Sequence, residues 1–454
     1  MEDITMRKIF QYIMLAVVTI VMASCTSDIE ETTATTGKNN VQLVVGEFPA
    51  FGDSQTRAIG TPDEGKTSWA EGDELLLEID NTSYGRHNAT FTYNGKSWEL
   101  TSGELVYLEG DPAYISHVYY APNYKWSNTS LMLKKGKVAG TDELIEGKAR
   151  ITGNGETITV SFAEATRKYS RLRIATLPNE QITVDTEYFT PAGSSDMKWD
   201  QNYALTSDEK GNAYLYGTFE NNSEVTVKYR EAALTTHTFS QATESAKSYA
   251  LDATVISANS AEEIKSAIEQ KVADGKTTIR LNLAPNAGTD EFMAIREAIK
   301  GAAPNDEGTI ELTIIGVETI PEEAFYKMLQ LKSVRMSDVK EIKKYAFKEC
   351  QYLTVVEAPS LNKLYSGAFR KCDQLSKLTF GPINYADERN WPIFEYITPN
   401  IDLILSDYQK EMIETDSYLY TANNDRDYAG SDEHNSKNFL GREFKSITCR
   451  YPVE

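Results

Sequence analysis

A period of 22 residues governs the C-terminal part of this 454-residue chain. Ile320, Ile342 and Leu364 stand 22 apart, as do Ala324, Ala346 and Ala368, then Phe325, Phe347 and Phe369. Leu331, Leu353 and Leu375 keep the same register, and so do Val334, Val356 and Leu378, and Val339, Leu361 and Ile383. Cys350 and Cys372 fall in step, with Met328 ahead of them. A unit this short cannot bury its apolar columns alone, so neighbouring units must stack. The small Ala column allows close approach, and the cysteines read as buried small residues of a ladder column rather than as a disulfide or metal pair. Phe394 to Leu405 reads as a fourth unit with three extra residues, Leu403 and Leu405 standing where Leu378 and Phe380 stood.

This period, with leucine-like columns, reads as a leucine-rich-repeat solenoid. Each unit supplies one short strand, with Val334/Met336, Val356/Ala358 and Leu378/Phe380 inward. Arg335, Glu357 and Thr379 then point outward, flanked by Ser333, Val355 and Lys377, and Glu311 and Thr313 extend the row backwards. That row is the candidate binding surface. Its mixed charges suit a protein or glycan better than a phosphate. The Ala-Phe-x-x-Cys-x-x-Leu core resembles the BspA-like leucine-rich-repeat family, the first copy departing by Met328.

Two helix–strand units precede the array. Ser260 stands three residues before Glu263, a capping-box spacing, with Ile264, Ile268, Ala267 and Val272 on one face and Gly275 as a stop. Thr278 to Leu283 reads as a strand, Glu291 to Ala303 as a helix, and Thr309 to Ile315 as a strand. Residues 41 to about 255 show alternating β patterns, such as Thr157 to Phe162 and Glu224 to Tyr229, separated by turns at Asn94-Gly95, Lys210-Gly211-Asn212 and Asn221-Asn222. Trp69 reads as a core anchor and Gly72-Asp73 as a turn.

Thr56-Arg57-Ala58, Trp69-Ala-Glu-Gly-Asp73, Tyr119-Tyr120-Ala121-Pro122 and Ala246-Lys247-Ser248-Tyr249-Ala250-Leu251 together resemble the fimbrillin-like family of surface lipoproteins. The resemblance implies a multidomain chain: tandem transthyretin-like β-sandwiches followed by an α/β leucine-rich-repeat solenoid. It also implies proteolytic processing at Arg57 that would release Val41 to Phe51 and let another fimbrial subunit add a strand. The domain C-terminal to the sandwiches occupies the end that such a subunit needs free, so Arg57 reads as a loop arginine with the strand left in place.

The N-terminus reads as an address. Arg7 and Lys8 precede an apolar run from Ile9 to Ala23, shorter than the ~20 residues of a transmembrane helix. Met22-Ala23-Ser24-Cys25 resembles a bacterial lipoprotein box, which implies lipidation of Cys25 and a membrane bond through that lipid. The expected divisions are a signal peptide 1–25, a tether 26–40, β-sandwiches 41–145 and 146–255, a capping region 256–315, repeats 316–405 and a cap 406–454.

Charge and composition exclude several functions. A formal net charge of -21 disfavours nucleic acid. Four scattered cysteines, without CxxC, and four scattered histidines, without HExxH, advertise neither zinc nor catalysis. The stretch Asn424 to Gly430 imitates a calcium loop, but Ala429 and Ser436 stand where ligands are required. No cofactor, metal or enzymatic activity is expected. The reading is a lipid-anchored protein of the cell outer membrane that binds an extracellular protein or glycan, with a fimbrial tip or accessory subunit, or a glycan-acting surface enzyme, as alternatives.

Overall fold

The computed structural model describes residues 30–32, 41–49, 51, 66–81, 85–104, 113–128, 130–153, 158–230, 232–258, 260–387, 391–409, 438–440 and 442–450. Cys25, Arg57 and the acidic stretch 424–433 lie outside the described residues. The chain is mostly β-sheet, in several bodies, with few helices.

The first sheet has eight strands. Glu30–Thr32 lies at one edge, next to Val41–Val45, and Trp98–Gly103 at the other. Leu43 and Val45 share one core with Leu75, Phe91 and Trp98, so strands far apart in the sheet close over a common interior. Trp69 anchors that core as expected. Its indole N–H donates to the Gly46 carbonyl at 2.8 Å, and its ring meets Phe48, Trp98 and Tyr120 edge-on. Asp73 accepts from the Ala70 amide, which closes the turn before Glu74–Asn81.

The first β body does not end at 145. Ile145–Gly153 and Ile158–Thr166 form an antiparallel pair within the first sheet, and Val41–Val45 adds to it in parallel. Without this pair Val41–Val45 would have no neighbour on its inner side, so the boundary falls after Thr166. The second sheet runs from Ser170 to Asp252 in seven strands, around Ile174, Val184, Phe189, Leu215 and Phe219.

The third sheet is parallel throughout: Ile256–Ala258, Thr278–Leu283, Ile310–Ile315, Leu331–Met336, Val355–Ala358, Lys377–Phe380, Asp402–Ser406 and Ser446–Arg450. Val334 pairs with Val356, Val356 with Leu378, and Leu378 with Leu403, so the 22-residue period and the final 25-residue step both become register. No break occurs at 316, because Ile310–Ile315 pairs directly with Leu331–Met336. Two-residue strands at Thr319, Glu341, Lys363 and Tyr385 build a second parallel ladder. Between the ladders Phe325, Phe347, Phe369 and Phe394 stack at 5.1, 5.4 and 5.7 Å. Phe292 closes one end of this column and Phe444 meets it at the other.

Helix α1, Ala261–Ala273, is capped by the Ser260 hydroxyl, which accepts from the Glu263 amide. It buries Ile264 and Ile268, and Gly275 (φ +73°) ends it in the left-handed conformation open to glycine. Helix α2, Thr289–Ala302, starts two residues earlier than expected and buries Phe292, Ile295 and Ile299.

Candidate binding site

The outward row of the third sheet begins under cover. Strand alternation sends Arg280, Thr313, Arg335, Glu357 and Thr379 to the same face, in register. Arg280 and Thr313 are buried, at 7% and 4% exposure. Arg280 Nε donates to the Leu234 carbonyl of the second sheet at 2.6 Å, and burial pulls its guanidinium below its ordinary range. Ile315 joins the second sheet's core. Thr313 is therefore part of a junction and not of a free surface, which corrects the expectation for that residue. Sequence alternation gives the face of a side chain, but not what other body covers it.

Past this junction the two bodies diverge and leave a cleft of ≈ 1400 Å³. Arg335, Glu357, Lys377 and Thr379 line it, together with Asp407 and Arg450. Glu311, Ser333 and Val355 do not. Glu311 accepts an ion pair from Lys332 at 2.8 Å instead. Within the cleft, Arg335 Nε donates to Glu357 Oε2 at 2.9 Å, and Lys377 Nζ stands 3.9 Å from Glu357 Oε1. Glu357 is thus held between two cations, and the wall presents three cations against two carboxylates.

The facing wall comes from the second sheet and carries four carboxylates, Asp185, Glu187, Asp200 and Glu224, against one cation, Lys228. Asp185 accepts from Asn202 at 2.8 Å and pairs with Lys228 at 2.6 Å. These residues were not foreseen. Alternation in Gln181–Pro191 and Glu224–Tyr229 marks Asp185, Glu187, Glu224 and Lys228 as outward, but nothing local shows that an outward face here opposes the repeats. The cleft therefore sets an acidic wall against a mildly basic one, able to hold a polar, extended ligand by charge and hydrogen bonds at both sides.

Cys350 and Cys372 are fully buried and their thiols donate to the carbonyls of Phe325 and Phe347 at 2.9 and 3.0 Å. Burial pushes the Cys350 thiol up to about 12, so it stays protonated and unreactive. Among the described residues no three His, Cys, Asp or Glu side chains converge on a metal position. No helix there is long and apolar enough to cross a membrane.

Stacked parallel strands, one per 22 residues, with buried Leu, Ala, Phe and Cys columns define a leucine-rich-repeat region joined to β bodies. Residues 310–414 match the BspA type leucine rich repeat region, in six copies, extending the repeats at both ends of the expected 316–405. No curated protein matches the chain. A crystal structure of a candidate cell adhesion protein from Bacteroides fragilis NCTC 9343 is similar over 48% of this chain and 93% of its own, at 10% identity and a TM-score of 0.30, a likeness too loose to argue from.

Proposed function

We propose that this is a lipid-anchored surface protein of the outer membrane that binds an extracellular protein or glycan and performs no chemical step. The carrying observation is that Arg335, Glu357, Lys377 and Thr379, outward on the repeat sheet, open onto a cleft instead of packing against the second sheet. The match to the BspA type repeat supports a recognition role, and the fimbrillin-like resemblance supports a stalk of two transthyretin-like sandwiches anchored through Cys25. Ligand pairing would draw on both walls, with affinity raised by many copies on one cell.

The test is an array of host glycans and matrix proteins probed with the full chain and with Arg335→Glu/Lys377→Glu. Binding that falls about tenfold or more in the variant is expected. Equal binding by both proteins sinks the reading. Turnover of an arrayed glycan would overturn the non-enzymatic assignment.

A second reading, a fimbrial tip or accessory subunit, rests on Val41–Val45. That strand pairs in parallel with Ile158–Thr166 on its inner side, a pairing that a strand of another subunit could replace. Mass spectrometry of assembled material distinguishes the two: a mature chain beginning at Cys25 favours the anchor, and one beginning at Ala58 favours strand exchange.

A further inference from the structure

The repeats carry a second exposed feature, and none of its residues lines the cleft. Gly367 is buried in left-handed geometry (φ +64°). A Cβ there would stand 2.5 Å from Tyr345 Cε1 and 3.7 Å from Trp391 Cβ. The glycine thus forms a floor over which the Tyr345 ring lies, with Trp391 beside it. Trp391 is 40% exposed and Tyr396 59%, far more than a ring needs for core packing. Cations sit over these rings: Lys344 and Lys348 at 4.8 and 4.7 Å from the Tyr345 centroid, and Arg370 at 4.1 Å from Trp391.

The local charge is opposite to that of the chain. Lys344, Lys348, Arg370 and Lys371 face two carboxylates, Glu349 and Glu395, in a protein of net charge -21. The Debye length of ~8 Å at physiological ionic strength lets this patch act on a ligand without the distant acids. Tyr345 is half-buried between the glycine and the lysines, so the open aromatic surface is that of Trp391 and Tyr396, and with the surrounding cations it suits a chain of pyranose rings carrying spaced carboxylates. The apolar faces of the sugars stack on the exposed surfaces of Trp391 and Tyr396, and the carboxylates meet the ammonium and guanidinium groups. A neutral glycan would leave the cations unused, and a peptide has no repeating flat ring to match the floor.

We propose that the surface of Trp391 and Tyr396, with Arg370 and the lysines around Tyr345 beside it, is a binding site for an acidic, uronate-bearing polysaccharide, separate from the cleft. The experiment is affinity electrophoresis of the full-length protein through gels containing hyaluronan, polygalacturonate, carboxyl-reduced hyaluronan or dextran. Retardation by at least one of the two acidic polymers, and by neither neutral one, is expected. Lys344→Glu/Lys348→Glu should weaken it about tenfold or more. Trp391→Ala should weaken it as well, with Trp391→Phe restoring most of the loss. Thermal melts of the variants within about 2 °C of the parent show that the fold survives; a variant that fails this is replaced by Lys344→Gln/Lys348→Gln. Arg335→Glu/Lys377→Glu should leave retardation unchanged, which separates this site from the cleft. Retardation by neither acidic polymer, equal retardation by dextran, or retardation insensitive to the lysine changes would overturn the proposal.

Discussion

The left-handed residues of the repeat recur with its period. Glu323 and Tyr345 have φ of 56° and 58°, and Gly367 completes that column. Lys327, Glu349, Lys371 and Tyr396 form another, at 55° to 61°. Each non-glycine there bears a strain of about 1–2 kcal/mol that stacking outweighs. Glu323→Gly should therefore be neutral or raise stability by up to about 1 kcal/mol in urea unfolding. Gly367→Ala should cost roughly 1–3 kcal/mol, because a Cβ meets the Tyr345 ring. The thiol column offers a sharper contrast. Cys372→Ala removes a buried donor from the Phe347 carbonyl and should cost about 1–3 kcal/mol, whereas Cys372→Ser keeps a donor and should cost less. The sequence showed the cysteines as buried, which they are; their hydrogen bonds to the preceding unit were not legible, because a carbonyl 25 residues away has no sequence signature.

At the scale of elements, the segment that precedes the first turn is held by more than its strand. Phe48 is buried against Trp69 and Tyr120, and the Arg167 guanidinium lies over Phe51 at 3.9 Å, donates to the Pro49 carbonyl and pairs with Glu143 at 2.6 Å. Burial pushes the Glu143 carboxyl up to about 7, against the pull of Arg167 and Arg171. A carboxyl raised in the folded state favours folding below its unfolded value, near 4.5, and that contribution is lost as pH rises through the folded value. The melting temperature should carry a component that falls between about pH 4.5 and 7 and that disappears in Glu143→Gln. An unchanged pH profile in the variant would remove Glu143 from the account. Phe347 is stacked on both sides within the ladder, and Phe347→Ala should cost about 3–5 kcal/mol. Strand and helix identities were legible here because periods of two, 3.6 and 22 each leave a pattern in residue type. The end of the first sheet was not, because pairing between Val41–Val45 and Ile158–Thr166 joins segments more than a hundred residues apart.

For the whole molecule, the cleft depends on how the second sheet sits against the repeats. Arg280 bonds Leu234 and approaches Asp252 at 3.9 Å, while Ile315 packs among the second sheet's core residues. Arg280→Ala should leave the Leu234 carbonyl unpaired and loosen this seam, seen as a larger radius of gyration in solution scattering without loss of either body's fold. Unaltered scattering would mean that the apolar contact alone fixes the angle. Half of the candidate surface was readable from alternation along the repeats. The acidic wall was not, since it arises only when two bodies meet, and no local pattern in Asp185, Asp200 or Glu224 encodes that meeting.

The parallel register has a further corollary for how such a chain can change. Every unit adds a rung of ~4.8 Å to the wall that begins at the buried arginine. Gain or loss of a complete unit would therefore lengthen or shorten the groove in fixed increments while the hinge end stays untouched. Ligand size becomes a matter of counting rungs, adjustable by duplication alone.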